Sequence, residues 1–182
     1  MEQVSINTSM HLSEHFLLGE MCKSSHKEIN NIPSPEALEN LKRVCIWLEA
    51  LRSRYNLRYV LGKGERSVSP PRSALPLCSA KNSGGEEVTS EPIIINSGYR
   101  SPELNRLVGG SPTSNHLTGC AVDIKVYGIE QAFRYAVILM DYADETKQDY
   151  DELLVERKSG RYWLHFAVRP KNNRHITNFL QT

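Results

Sequence analysis

The stretch "YDELLVERKSGRYWLHFAV", residues 150–168, constrains the fold more than any other part of the chain. Two runs rich in apolar and aromatic residues meet at Ser159 and Gly160, a two-residue connection of the kind that closes a tight β-hairpin. With those residues in the turn, Arg157 pairs with Tyr162, Glu156 with Trp163, Val155 with Leu164 and Leu154 with His165. Side chains alternate between faces along a strand, so Val155, Leu164 and Phe166 share one face and Glu156, Trp163 and His165 the other. The first face suits a core. The second carries a carboxylate and an imidazole as diagonal neighbours, close enough for one to hold a metal while the other moves a proton. An imidazole on a half-buried sheet can equally be a packed residue, so further ligands must come from elsewhere.

They come from "SNHLTGCAVD", residues 114–123, where His116 and Asp123 flank a turn at Gly119. The run "CAVDIKV" alternates, with Val122, Ile124 and Val126 on one face and Ala121, Asp123 and Lys125 on the other. As a strand with its valines and isoleucine inside, it points Asp123 out of the core. His116, Asp123 and His165 then make two imidazoles and one carboxylate, the donor composition of a catalytic zinc site whose fourth position is left for water. Zinc in such a site lowers the pKa of its water and polarises a carbonyl, while a carboxylate carries the proton to the leaving amine. Glu156 is the choice for that carboxylate. Asp151 is its rival, although regular alternation gives it the parity of Val155 and turns it toward the core. His11, His15, His26 and His175 are not expected among the ligands, since none shares that sheet face.

The remaining elements are those of one domain spanning residues 1–182. Ser34 as N-cap and Pro35 at the first helical position open a helix whose Leu38, Leu41, Val44 or Cys45, Leu48 and Leu51 recur at helical spacing. A short strand is expected in "EPIIIN", and a turn with a short helix in "SGYRSPELNRLVGG". A second long helix in "GIEQAFRYAVILMDYA" is expected to pack through Ile129, Ala132, Phe133, Ala136, Val137 and Met140. Residues 62–91, with three prolines and four glycines, read as an insertion loop. The fold class expected is α+β, a small, mostly antiparallel sheet flanked by helices.

Charge narrows the function classes. Lys and Arg total 22 against 21 for Asp and Glu, which gives no overall pull toward nucleic acid or an anionic membrane. Cys22, Cys45, Cys78 and Cys120 are too widely spaced for any CxxC motif, and reduced thiols are preferred to bridges. No stretch is long and apolar enough for membrane insertion, and "MEQVSINTSMHLSEHF" lacks the basic region and apolar run of a signal peptide. Synthesis in the cytoplasm is therefore expected, as is a monomer.

The order "SGYRSPELNRLVGGSPTSNHLTGCAVDI", then "YDELLVE", then "WLHF" resembles the zinc D-alanyl-D-alanine carboxypeptidase family, in particular its small phage and bacterial cell-wall members. The family's spacing of Ser, His, Gly, Ala and Asp is met by Ser114, His116, Gly119, Ala121 and Asp123, and its closing Trp and His by Trp163 and His165. "LSEHFLLGEMCKSS" and the helix after "NIPSP" are similar too, so the likeness runs from about residue 12 to residue 168, most of 62–91 excepted.

The resemblance implies a fold like that of Hedgehog domains and DD-peptidases, and one zinc ion on His116, Asp123 and His165. It implies hydrolysis of peptidoglycan stem peptides or muropeptides by zinc-activated water, as a carboxypeptidase or an endolysin-type endopeptidase. It further implies Arg100 as a fixed cation beside the reacting carbonyl, and Tyr99 and Trp163 as pocket walls. Ser114 has two readings, a substrate contact or a cap that positions His116. Some relatives carry a Glu three positions before the last His, where this chain has Tyr162, and others a His two before it, where it has Trp163. The proton transfer then falls to Glu156. A prophage lysin released through a phage pore fits the missing signal; the alternative to an enzyme is a non-catalytic zinc-containing cell-wall-binding or structural phage protein.

Overall fold

A computed structural model describes residues 7–60 and 90–181. The insertion expected at 62–91, with Cys78, lies outside the described residues apart from Ser90 and Glu91. Among the described residues four α-helices, α1 (Leu18–Met21), α2 (Pro35–Tyr55), α3 (Pro102–Leu107) and α4 (Ile129–Thr146), accompany five strands. The strands are β1 (Ile95–Ser97), β2 (Ala121–Lys125), β3 (Glu152–Lys158), β4 (Arg161–Ala167) and β5 (Ile176–Gln181). They form one mixed sheet in the order β1-β2-β4-β3-β5, antiparallel throughout except where β5 runs parallel to β3. The class is α+β.

The β3–β4 hairpin has the register obtained by counting from its turn, with Val155 opposite Leu164 and Leu154 opposite His165. Ser159 and Gly160 both have positive φ, 50° and 77°, the backbone that lets a two-residue turn follow the twist of its strands. On the inner face Val122, Ile124, Leu153, Val155, Leu164 and Phe166 are fully buried. Beneath them lies α2, started as expected by Ser34, whose side chain accepts the Ala37 N–H at 3.2 Å, and by Pro35. Its Leu41, Val44, Cys45, Leu48 and Leu51 are inaccessible to solvent, and the Trp47 ring lies 5.2 Å from that of Phe166.

Two expectations change. The strand in "EPIIIN" is shorter and later, because only Ile95–Ser97 pairs with β2 and does so across an irregular register. In α4 the core stripe is Ala132, Tyr135, Ala136, Ile138, Leu139 and Ala143, while Phe133, Val137 and Met140 remain over a third exposed. The helix carries two apolar stripes, and the one with small alanines faces α2, where close approach needs them. Phe133 instead meets Phe179 of β5 edge-on, with ring centres 5.3 Å apart. Cys22, Cys45 and Cys120 are free thiols, and burial pushes the first two up to about 12. No helix among the described residues is long and apolar enough to cross a membrane.

The 3-10 turn Asn115–Thr118 is pinned to α2 at two points. Asn40 donates to the Thr118 carbonyl at 2.9 Å, and Gly119, at φ 71°, comes so close to α2 that a Cβ there would lie 2.4 Å from the Ala37 carbonyl oxygen. Gly160 has a similar φ of 77° but nothing within 4 Å. Gly160→Ala should therefore lower the unfolding free energy by about 1 kcal/mol, the left-handed penalty alone, and Gly119→Ala by roughly twice that or more. Urea denaturation of the two variants side by side checks the difference.

Candidate metal centre

Strand pairing brings two members of the site together. Asp123 on β2 lies directly opposite His165 on β4, and both side chains leave the sheet on the face away from α2. The 3-10 turn before β2 delivers the third, His116. The donors converge on one carboxylate oxygen: Asp123 Oδ1 is 2.9 Å from His165 Nδ1 and 3.3 Å from His116 Nε2. All three residues are buried, at 9%, 9% and 2% exposure in that order, and their donor atoms lie within 4.8 Å of one another. Donors about 2.1 Å from a single tetrahedral ion stand about 3.4 Å apart; the two spacings from Asp123 Oδ1, 2.9 and 3.3 Å, are near that, and all three donors lie within 4.8 Å of one another. The cluster could bind a metal, and its two nitrogens and one oxygen are donors that zinc accepts.

The second nitrogen of each imidazole decides which one faces the cluster. His116 Nδ1 is 2.6 Å from the Gly98 carbonyl, which can only accept, so Nδ1 carries a proton and Nε2 is the nitrogen turned toward the cluster. His165 has the reverse arrangement, with Nδ1 toward the cluster and Nε2 3.3 Å from Glu152 Oε2. Burial disfavours the charged imidazole, yet carboxylates on both ring nitrogens, Asp123 first and Glu152 next, push the pKa of His165 up to about 9. Burial likewise opposes ionisation of Asp123, but His116 and then His165 hold its carboxyl well below the ordinary range.

Arg100, which the resemblance implies as a fixed cation, lies beside the cluster, with a partner that spacing did not indicate. Its Nη2 donates to Asp123 Oδ2, its Nε to Ser97 Oγ at 2.8 Å, and its backbone N–H to the His116 carbonyl at 3.1 Å. Ser114 caps the 3-10 turn, its hydroxyl accepting the His116 N–H at 3.3 Å. Tyr99, a candidate pocket wall, is only 7% exposed and belongs to the core. Trp163 is half-buried and its indole N–H donates to Glu156 Oε2.

Three carboxylates of the β3 region have distinct settings. Glu156 is half-buried on the His165 face, two residues beyond Leu154. Asp151, just before β3, is fully buried between Arg169 Nη2 at 2.9 Å and Arg174 Nη2 at 2.6 Å, and shares Asn115 and Arg174 with Glu152. Burial raises its pKa, but Arg174 and Asn115 outweigh that, so it is a paired anion. Glu152 was missed by sequence reasoning, although its parity with Leu154 and Glu156 puts it on the ligand face. Asn115, Arg169 and Arg174, which also border the site, carry no such signal.

These shifts give the metal-free protein a defined pH dependence. His165 has a raised folded pKa, so its contribution is complete below about 6.5 and is lost as pH rises toward about 9. Glu152, lowered to about 2 chiefly by His165, contributes fully above about 4.5 and loses its contribution as pH falls from there toward about 2. The urea midpoint of metal-free protein should therefore decline between pH 6.5 and 9, and the decline should be absent in His165→Gln. A flat wild-type profile across that window would contradict the pairing.

A family model described as Peptidase M15 matches residues 80–146. That stretch carries β1, α3, the 3-10 turn, β2 and α4, with Arg100, His116 and Asp123, and ends before Glu152, Glu156 and His165. No curated protein matches the chain. Over that stretch the chain is similar to the M15 peptidases.

Proposed function

We propose that the protein is a zinc metallopeptidase that hydrolyses peptide bonds in peptidoglycan stem peptides, removing a terminal D-Ala or cutting an internal bond. The observation that carries this reading is the convergence of His116 Nε2, Asp123 Oδ1 and His165 Nδ1, with Glu156 on the same face of the sheet. Two imidazoles and one carboxylate leave a coordination position for chemistry. Bound there, zinc supplies Lewis acidity toward the scissile carbonyl and toward an attacking water.

The chain supplies the rest. Trp163 holds one oxygen of Glu156, and among the described residues the other has no hydrogen-bond partner, so it is free to accept a proton from the attacking water and return it to the leaving amine. Arg100 keeps a positive charge at the edge of the site, where negative charge develops on the carbonyl oxygen. Its contacts with Ser97 and Asp123 fix that charge in place before substrate arrives.

The test is incubation of zinc-loaded protein with cross-linked and uncross-linked peptidoglycan fragments, the products identified by mass. Loss of a terminal D-Ala or separation of a stem peptide is expected, and chelation should abolish either. Glu156→Gln should keep zinc content and fold while turnover falls by roughly 10²- to 10⁴-fold. Turnover within a few-fold of wild type would remove Glu156 from the role. Stoichiometric zinc with no cleavage of any fragment would favour a binding protein.

A further inference from the structure

His165 presents only Nδ1 to the three-donor cluster. Its other nitrogen, Nε2, faces Glu152 Oε2 at 3.3 Å, on the side of Leu154 opposite Glu156. We infer that Glu152 is a positioning residue for the metal ligand His165, accepting the Nε2 proton and so fixing the tautomer and ring angle that leave Nδ1 free for the ion. The inference rests on the zinc site proposed above and deepens it.

Both oxygens of Glu152 are engaged. Oε2 also receives Asn115 Nδ2 at 2.8 Å, and Oε1 receives Arg174 Nη2 at 2.6 Å. Arg174 is held in turn by Asp151, to which it donates through Nε at 3.0 Å and through its backbone N–H at 3.1 Å. A carboxylate fixed from three sides is a poor proton carrier and a good anchor. Glu156 shares the strand face but bonds to Trp163, which leaves it an open oxygen. Two glutamates four residues apart thereby divide the work, one holding a ligand and the other moving the proton.

Asn115 extends the anchor to the second imidazole. It immediately precedes His116, and its Nδ2 bridges Glu152 Oε2 and Asp151 Oδ2, each at 2.8 Å. Its Oδ1 accepts from Arg169 Nε at 3.1 Å. The turn that carries His116 and the strand pair that carries His165 are thus set relative to one another through one carboxylate. A partner of this kind on a ligand imidazole is worth roughly 10- to 100-fold in metal affinity.

The experiment measures zinc affinity by chelator competition in wild type, Glu152→Ala, Glu152→Gln and Glu156→Gln, with the His165 ring followed by NMR of histidine-labelled, zinc-loaded protein. Glu152→Ala should weaken zinc binding roughly 10- to 100-fold, whereas Glu156→Gln should stay within about twofold. Glu152→Gln keeps an accepting oxygen without the charge, so it should retain more affinity than the alanine variant. In it the His165 Nε2 proton should move upfield and exchange faster with water, a change that a general loss of packing would not confine to this ring. Zinc affinity within twofold in Glu152→Ala, or an unchanged Nε2 proton in Glu152→Gln, overturns the inference. If Glu152→Ala does not fold, the Nε2 proton of Glu152→Gln decides alone. Wild type that binds zinc but cleaves no peptidoglycan would fail the peptidase reading and leave this one standing.

Discussion

A carboxylate buried against two imidazoles sets the terms for everything around it. Asp123 gives one oxygen to both histidines and the other to Arg100. An anion at 9% exposure is tolerable only when it is paired on every side, and each of these partners is bonded to something else. Arg100 leans on Ser97, His116 on the Gly98 carbonyl, and His165 on Glu152. The short, irregular β1 makes sense in this light. It ends where Ser97 and Gly98 must present a hydroxyl and a carbonyl to the site, and a longer regular strand would spend that carbonyl on sheet pairing.

The hairpin was legible in the sequence because a two-residue turn leaves one way to count. Ser159 and Gly160 fix which residues face each other, and parity then separates Val155 and Leu164 from Glu156 and His165. The same alternation turned Asp123 outward from β2. Helix α4 was legible as a helix but not in its orientation, since both of its stripes are apolar and only the packing against α2 selects the one rich in alanine. Glu152 was within reach of the parity that found Glu156, yet nothing local distinguishes a carboxylate with three partners from one with a free oxygen. That distinction is made by Arg174 and Asn115, which lie 22 and 37 residues away along the chain. Periodicity reports which side a residue faces and is blind to what the fold brings up to it.

The site divides along its own geometry. On one side are charges that have found partners: Asp123, Asp151 and Glu152 are all held below their ordinary pKa, each against the opposing effect of burial. On the other side Glu156 and Trp163 bond to each other, and among the described residues one Glu156 oxygen has no hydrogen-bond partner. Such a split suits the hydrolysis proposed above, since ligands must not wander and the proton carrier must not be tied down.

The parallel strand β5 ties the cluster to residues beyond the hairpin. To run alongside β3 in the same direction, the chain must cross from the end of β4 through residues 168–175, and this crossing carries Arg169 and Arg174. Both arginines come after the last candidate ligand in sequence, yet they neutralise Asp151 and brace Glu152. A chain that has formed only its β2–β4–β3 core would present the three donors with an uncompensated buried anion behind them. The bracing of the three donors therefore depends on the docked crossover as well as on the hairpin, because without Arg169 and Arg174 the anions behind them are left uncompensated.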